Sequence, residues 1–482
     1  MSDSSTTTLT VLTLNCWGLK FISKKLQQRM EAIADKLSQS DYEIVCLQEV
    51  WVYDNYKLIC NKTRKRFPYS RFYSSGVFGS GLVVLSRYPI VEVNFHKYRL
   101  NGHPIKVTHG DWYVGKGVAS AVVDHPVAGL IEIFNTHTHA GYGSKNNTDV
   151  YLGHRTSQGW EISNLLRVST SRGRNVIALG DFNSEPDSIL YKLVTTHGQM
   201  TDSWASQNTS SSSNVSTTSL NNDAANNPFD PATSITKNGY TCDSPLNTWS
   251  NISFKQANHN NYSGERIDYV FYRKTSRFWC SGSRVVFTEK IPELGVSYSD
   301  HFGVEAKFTL VNRNKNSVIP LSVWDFEPRE TLYELDTNTL KILMRLFTND
   351  LDKSKTTSKI YIFLFYASFL LIFGLILLQI LLTANAISQD YQYLGLIFII
   401  INGPIAAVAS ILGLIGLLFG NEERNILRGL LDELETFLNG KKILESRTSG
   451  QITTSEACRT NQRFSSCFEN KGTNTGLLSI WL

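Results

Sequence analysis

The order of hydrophobic and polar residues divides the chain into two textures. Up to about residue 312, short apolar or β-branched runs alternate with polar stretches, the pattern of strands with helices between some of them. Strands are expected at Val11–Leu14, Glu43–Leu47, Gly81–Ser86, 118–124 (VASAVVD), Ile131–Asn135, Val176–Leu179, Arg266–Tyr272 and Val304–Val311. Residues 24–37 place Leu26, Met30, Ile33, Ala34 and Leu37 on one helical face, with Ser23 as the expected N-cap. A second helix is expected over Tyr151–Val168. Many strands with interspersed helices point to a layered α/β sandwich. Residues 207–238 are rich in Ser, Asn and Thr with no apolar period, and read as a disordered insertion within one domain spanning 1–312. Residues 313–358 read as a linker with one helical stretch, Leu332–Leu346.

The second texture is an apolar pair. Residues 360–382 and 394–420 carry no charge. At ~1.5 Å per residue each is long enough for a ~30 Å hydrocarbon core. Neither has a polar face, so two transmembrane helices are expected, the second interrupted at Gly403 and Pro404. The connecting loop carries Asp390 and no Lys or Arg. The outer flanks carry Lys353, Lys355 and Lys359 before the pair and Arg424 and Arg428 after it. The positive-inside rule then puts the N-terminal region and the 421–482 tail in the cytosol, on an endoplasmic reticulum, outer mitochondrial or plasma membrane. Sequons such as Asn61 and Asn251 would stay unglycosylated there.

Composition adds limits. Lys plus Arg total 47 against 42 for Asp plus Glu, and a net charge of +5 gives no reason to expect a nucleic-acid partner. Seven cysteines (16, 46, 60, 242, 280, 458 and 467) form no CxxC pair and no zinc spacing. The first residues show no basic region followed by an apolar core, so no secretory signal is expected.

Polar groups capable of chemistry sit where strands stop. Asn15 ends LTLN, Glu49 follows EIVCLQ, and His137 and His139 follow IFNT. Asp181 and Asn183 follow VIALG, and Asp300 and His301 precede the last strand in YSDHFGV. In this order the motifs resemble the DNase-I-like metal-dependent phosphodiesterases over residues 9–312. The resemblance implies a DNase-I-like four-layer α/β sandwich followed by a C-terminal two-helix transmembrane hairpin. A phosphodiester is charged and poorly electrophilic, so a hard cation must neutralise its oxygens. Glu49 is the expected Mg²⁺ ligand, with Asn15 orienting that site or binding directly. His301 is the expected general base, held in its tautomer by Asp300. Asp181 and Asn183 would position water and a phosphate oxygen. His137 would stabilise the phosphoryl or leaving oxygen, with His139 behind it or structural.

The segment HGDWYVGKG at 109–117 spells G-x4-G-K, but Gly117 stands where a nucleotide-binding loop has Ser or Thr, and a strand follows instead of a helix. It resembles instead the P-loop-like motif of neutral sphingomyelinases and inositol phosphosphingolipid phospholipases C. NCWGLKFISK, LQEVW, GDFNSEPDS, RIDYV and VSYSDHFG resemble the same family, as does the pair of C-terminal spans. The resemblance implies Mg²⁺-dependent cleavage of a membrane sphingolipid to ceramide and a phosphorylated headgroup. It also implies roles for Asp111 and Lys116 in substrate binding or activation, and stimulation by anionic phospholipids. Trp112 and Tyr113 are candidates for the bilayer interface. The alternatives are a phosphoinositide phosphatase or nuclease of the same fold, or an inactive lipid-binding scaffold.

Overall fold

The computed structural model describes residues 6–142, 149–208, 231–250, 264–311, 335–384 and 392–448. They fall into two compact units, one up to Leu335 and one from Asp336 onward.

The first unit is built on two six-stranded mixed sheets. One contains β1 (Thr6–Asn15), β2 (Ile44–Gln48), β3 (Tyr69–Tyr73), β4 (Leu82–Ser86), β11 (Phe278–Val286) and β12 (Gly303–Val311). The other contains β5 (Ile90–Lys97), β6 (Gly117–His125), β7 (Gly129–His137), β8 (Asn175–Asp181), β9 (Thr201–Asp202) and β10 (Asp268–Tyr272). Helices α1 (Leu26–Ser38) and α2 (Tyr53–Thr63) flank the first sheet. The short α3 (Asp111–Val114) precedes β6, the long α4 (Leu152–Ser171) flanks the second sheet, and the short α5 (Ile189–Lys192) follows β8. The sheets face each other through a core that includes Leu9, Val11, Ile44, Cys46, Ile131, Ile133, Ile177, Leu179 and Val270. A second core packs Met30, Ile33 and Leu37 of α1 against Leu12, Leu14 and Val45. A third packs Ile162 and Leu166 of α4 against Val176 and Ala178. This is a four-layer DNase-I-like α/β sandwich.

The strand period of two places the site. Side chains two apart share a face, and several inward faces turn from apolar to polar toward the same end. β1 runs Leu9, Val11, Thr13, Asn15; β7 runs Ile131, Ile133, Asn135, His137; β8 runs Ile177, Leu179, Asp181. β10, antiparallel to β8, reads the same way in reverse through Tyr272, Val270 and Asp268. A polar layer of Thr13, Gln48 and Asn135 separates apolar core from site: Gln48 Nε2 donates to Thr13 Oγ1 (3.0 Å) and to Asn135 Oδ1 (2.7 Å).

Several local expectations change. Ser23 does not cap α1; Lys25 precedes it in the left-handed region, and the Ser23 hydroxyl has no hydrogen-bond partner. The chain instead turns through Ser23 N–H to Leu19 O (2.9 Å). The 207–238 segment has ordered ends, α6 (Ser203–Asn208) and α7 (Pro231–Asn238); residues 209–230 lie outside the described residues, as does Asn251.

In the second unit, α8 (Thr337–Ala384) runs unbroken from the expected linker helix through the first apolar run. The helix α9 (Gln392–Leu414) continues through Gly403 and Pro404 instead of breaking there. The irregularity falls later, in a π-helical turn at Ile415–Phe419, before α10 (Gly420–Thr448). Among the described residues two helices are long and apolar enough to cross a membrane, and the most apolar window of the first has none of its residues covered by protein. Glycines on the returning segment let the backbones approach. A Cβ on Gly413 would lie 2.9 Å from the Phe365 ring, and one on Gly416 3.0 Å from the Ile362 side chain. Lys353 and Lys355 pair with Asp350 (3.1 Å) and Asp352 (2.9 Å) on the same helix, which reduces the net positive charge of that flank. Asp390 and residues 449–482 lie outside the described residues.

Candidate active site

Register alone brings three groups abreast: His137 on β7 pairs with Asp181 on β8, and Asp181 with Asp268 on β10. His301, in the turn before β12, reaches them from the other sheet. His301 Nδ1 lies 2.9 Å from Asp268 Oδ2, and His301 Nε2 lies 4.0 Å from Asp181 Oδ2. Asp268 Oδ2 also accepts from Thr241 Oγ1 at 2.6 Å. The imidazole therefore keeps one nitrogen on an anchored carboxylate and turns the other toward Asp181.

The expected partner of His301 is thereby corrected. Asp300 does not orient the ring; its carboxylate accepts from Ser299 Oγ at 3.2 Å. Neighbours in a turn project in different directions, so Asp300 cannot reach Nδ1 while its own backbone carries the ring. Asp268 is not among the candidates that the strand-end motifs offer, although RIDYV carries a readable signal, an acid at the start of an inward face that continues Val270, Tyr272.

On the first sheet, Asn15 links the two sides. Its Nδ2 donates to Glu49 Oε1 (3.1 Å) and to Asp181 Oδ2 (3.0 Å), and its Oδ1 accepts from Trp17 N–H (3.0 Å). Glu49 sits in the left-handed region at φ 57°, and Trp51 Nε1 approaches its other oxygen at 3.4 Å. Arg29 is a second residue that sequence reasoning missed. It is fully buried and donates to the carbonyls of Lys24 (2.9 Å), Cys16 (2.9 Å), Trp17 (2.7 Å) and Tyr298 (3.0 Å). It thus ties the loop after Asn15 to the loop before Asp300.

Lys116 is buried, with Nζ 2.5 Å from Asp111 Oδ1, 2.9 Å from His137 Nε2 and 2.9 Å from Thr138 O. A solvated lysine at the tip of a hairpin is excluded. Because Lys116 donates to Nε2, the His137 hydrogen resides on Nδ1, which has no hydrogen-bond partner. His137 Nε2 is also 3.4 Å from Asp181 Oδ2. His139 stands behind this group, wholly buried, with its ring against Tyr151 and Nε2 3.9 Å from Asp111 Oδ2. In this arrangement His139 can touch Asp111 but not a molecule in the cleft. Trp112 and Tyr113 are half-buried, and Tyr113 OH donates to Pro104 O at 2.6 Å.

Asn183, at φ 43°, donates from Nδ2 to Thr138 O (3.1 Å) while its N–H donates to Asp181 Oδ1 (2.9 Å). It also lines a cavity of about 350 Å³ with Arg155, Glu185, Asp187 and Glu265.

The electrostatics call for a cation. Burial, then the neighbouring Asp300 charge, push the Glu49 carboxyl above its ordinary range. Burial also raises Asp300, and burial followed by Asp268 lifts Asp181 to about 6. Burial opposes the His301 imidazolium, yet its pKa ends well above the ordinary value. Cys242, itself pushed up to about 12 by burial, is uncharged at neutral pH, so Asp268 is the anion responsible. Burial and the Lys116 charge depress His137 well below 6.5, and burial takes His139 to about 3. Asp181, Asp268 and His301 offer ligand atoms within 4.8 Å of one another, and Asp268 Oδ1 is buried without a hydrogen-bond partner. The carboxyls of Glu49, Asp300 and Asp181, each raised by burial and by a neighbouring anion, are a donor set that fits a hard divalent cation.

Residues 12–301 match the profile of the endonuclease/exonuclease/phosphatase family. The chain is 42% identical over 311 residues to an inositol phosphosphingolipids phospholipase C of Schizosaccharomyces pombe, covering 64% of this chain and 70% of that protein. It is 31% identical over 480 residues to the protein of the same name in Saccharomyces cerevisiae, covering 92% and 94%. Human sphingomyelin phosphodiesterase 2 is 30% identical over 294 residues, 61% of this chain and 62% of that protein.

Proposed function

This chain belongs to the endonuclease/exonuclease/phosphatase family, and we propose that within it the protein is a membrane-anchored, Mg²⁺-dependent sphingolipid phosphodiesterase of the phospholipase C type. It would hydrolyse inositol phosphosphingolipid, sphingomyelin or both to ceramide and a phosphorylated headgroup. The observation that carries the reaction class is the His301–Asp268 pair facing Asp181 across 4.0 Å, beside Asn15 and Glu49. The names of the relatives and the two apolar helices support the lipid substrate.

Glu49, with Asn15 and Asp300 beside it, would hold the cation. When bound, Mg²⁺ supplies charge neutralisation at the phosphodiester oxygens and lowers the pKa of His301 toward that of a working base. His301 Nε2 takes the proton of a water lying between it and Asp181, and Asp268 holds the ring at Nδ1 throughout. The oxygen attacks phosphorus, the bond to the ceramide oxygen breaks, and the leaving oxygen takes its proton from the Lys116–His137 pair. Asn183 aligns Asp181 by its backbone N–H and places its side chain against the phosphate. Lys116 now occupies His137 Nε2, so substrate must displace that contact for His137 to meet a phosphoryl or leaving oxygen.

The two apolar helices support a membrane anchor. In this reading the first unit would lie on the cytosolic side of an endoplasmic reticulum or outer mitochondrial membrane, which the basic residues Lys359, Arg424 and Arg428 favour, and anionic phospholipids would be its activators. The test is ceramide release from inositol phosphosphingolipid and sphingomyelin side by side, with Mg²⁺ and with chelator. Mg²⁺-dependent ceramide from either supports the proposal. Phosphate release from phosphoinositides or nicking of DNA, with no ceramide, overturns it.

A further inference from the structure

Three loops lie beside residues of the site: residues 17–25 after β1, 74–81 between β3 and β4, and 99–110 between β5 and α3. The first two meet at Glu49. A Cβ on Gly18 would overlap Glu49 O, while Val50 N–H donates to Gly81 O at 3.0 Å. The second and third meet on α3: Val77 N–H donates to Tyr113 O (2.7 Å), and Tyr113 OH to Pro104 O (2.6 Å). They form one continuous rim.

The tips of this rim are apolar and face solvent. Phe21 is 92% exposed, Ile22 67%, Val77 71%, Phe78 60% and Val107 66%. Soluble proteins rarely gather large apolar side chains this way, although single exposed ones are common. The charge of the loops is one-sided: they contain Lys20, Lys24, Lys25, Arg99 and Lys106, and no Asp or Glu. Arg99 lies 3.5 Å from Glu161, which leaves the exposed lysines as the positive field of the rim.

We propose that these three loop tips form an interfacial docking surface that seats the mouth of the active site on an anionic lipid leaflet. Phe21, Ile22, Val77, Phe78 and Val107 enter the boundary between headgroups and acyl chains, and Lys20, Lys24, Lys25 and Lys106 meet anionic headgroups. A docked protein would cover the entrance to the site, whereas a bilayer is where a lipid substrate resides. The surface extends the lipid-hydrolase reading, but its test requires no turnover.

The full-length protein is reconstituted into phosphatidylcholine vesicles with or without phosphatidylserine. A nitroxide label is attached to Phe21→Cys, to Phe78→Cys or, as reference, to Val168→Cys, which lies about 24 Å along α4 from its first residue. Unsubstituted protein treated identically gives the background from native cysteines. The expected result is a several-fold higher ratio of oxygen to nickel-chelate accessibility at 21 and 78 than at 168, rising with phosphatidylserine. Lys20→Glu combined with Lys24→Glu should remove that rise. Equal ratios at all three positions in phosphatidylserine vesicles overturn the proposal, as does protection from both reagents at 21 and 78, the signature of a protein-covered surface. Ceramide assays do not enter either outcome, so failure here leaves the proposed reaction standing.

Discussion

Asp268 and Asp300 both lie near His301, yet only Asp268 touches it. Their substitutions should therefore separate. Asp268→Asn removes the anion that raises the His301 pKa, so the acid limb of the pH–rate profile should move to lower pH, and turnover should fall roughly 10²–10⁴-fold. Asp300→Asn should leave that limb in place and raise the Mg²⁺ concentration needed for half-maximal rate. Identical pH profiles for the two variants would contradict the assignment. Arg29 has a different role, since its four carbonyl acceptors lie in the loops flanking Asn15 and Asp300. Arg29→Met strands those carbonyls, and should cost about 3 kcal/mol or more in urea unfolding; a loss below about 1 kcal/mol would show that the loops hold themselves. The strand-end groups Asn15, Glu49, His137, Asp181 and His301 are legible in the sequence because each follows or precedes an apolar run. The His301–Asp268 pairing is not, because it depends on which distant strands become neighbours. Arg29 is invisible for a related reason: in sequence it reads as one more polar residue of an amphipathic helix, and only the tertiary fold buries it.

Secondary elements set how tightly these groups can be held. Gly180 lies at φ 141° on β8, and a Cβ there would overlap Thr136 O on β7. Gly180→Ala should force those strands apart where His137 and Asp181 pair, and abolish activity even if the protein folds. Unchanged turnover would mean that the register is not what aligns the site. Behind the same sheet, His197 stacks on Trp160 of α4 and hydrogen-bonds Asn164 (2.8 Å). Burial, aided by the Arg167 charge, lowers its pKa to about 3. The unfolded chain therefore binds a proton at higher pH than the folded one. The stability from neutral His197 is full above about pH 6.5 and is lost as pH falls from there toward 3. His197→Gln should lose less stability than wild type between pH 7 and 4, read by thermal unfolding; equal losses would contradict this. Apolar runs and periodicity mark β1, β2, β4, β6, β7, β8, β10, β12, α1 and α4 but not β3, β5, β9, β11 or α2; the π turn at Ile415–Phe419 and the missing Ser23 cap are not marked either. Both follow from local backbone contacts that no spacing rule encodes.

On the scale of the whole molecule, a soluble-type sandwich and an apolar helical pair lie in one chain. The apolar runs were legible because length and absence of charge suffice to mark them. That α8 extends without a break from residue 337 was not, because Lys353, Lys355 and Lys359 look like a boundary in sequence yet are ordinary helical positions, the first two with acidic partners. If these helices span a bilayer, alkaline carbonate should leave the protein in the membrane pellet, and its appearance in the supernatant would contradict that reading. In the proposed reaction water attacks phosphorus and releases the lipid as an unlabelled alcohol. The most direct measurement is hydrolysis of the sphingolipid in ¹⁸O-water, followed by mass spectrometry of both products. The account predicts ¹⁸O in the phosphorylated headgroup and none in ceramide. Label in ceramide, or in free inorganic phosphate with no ceramide formed, would contradict it.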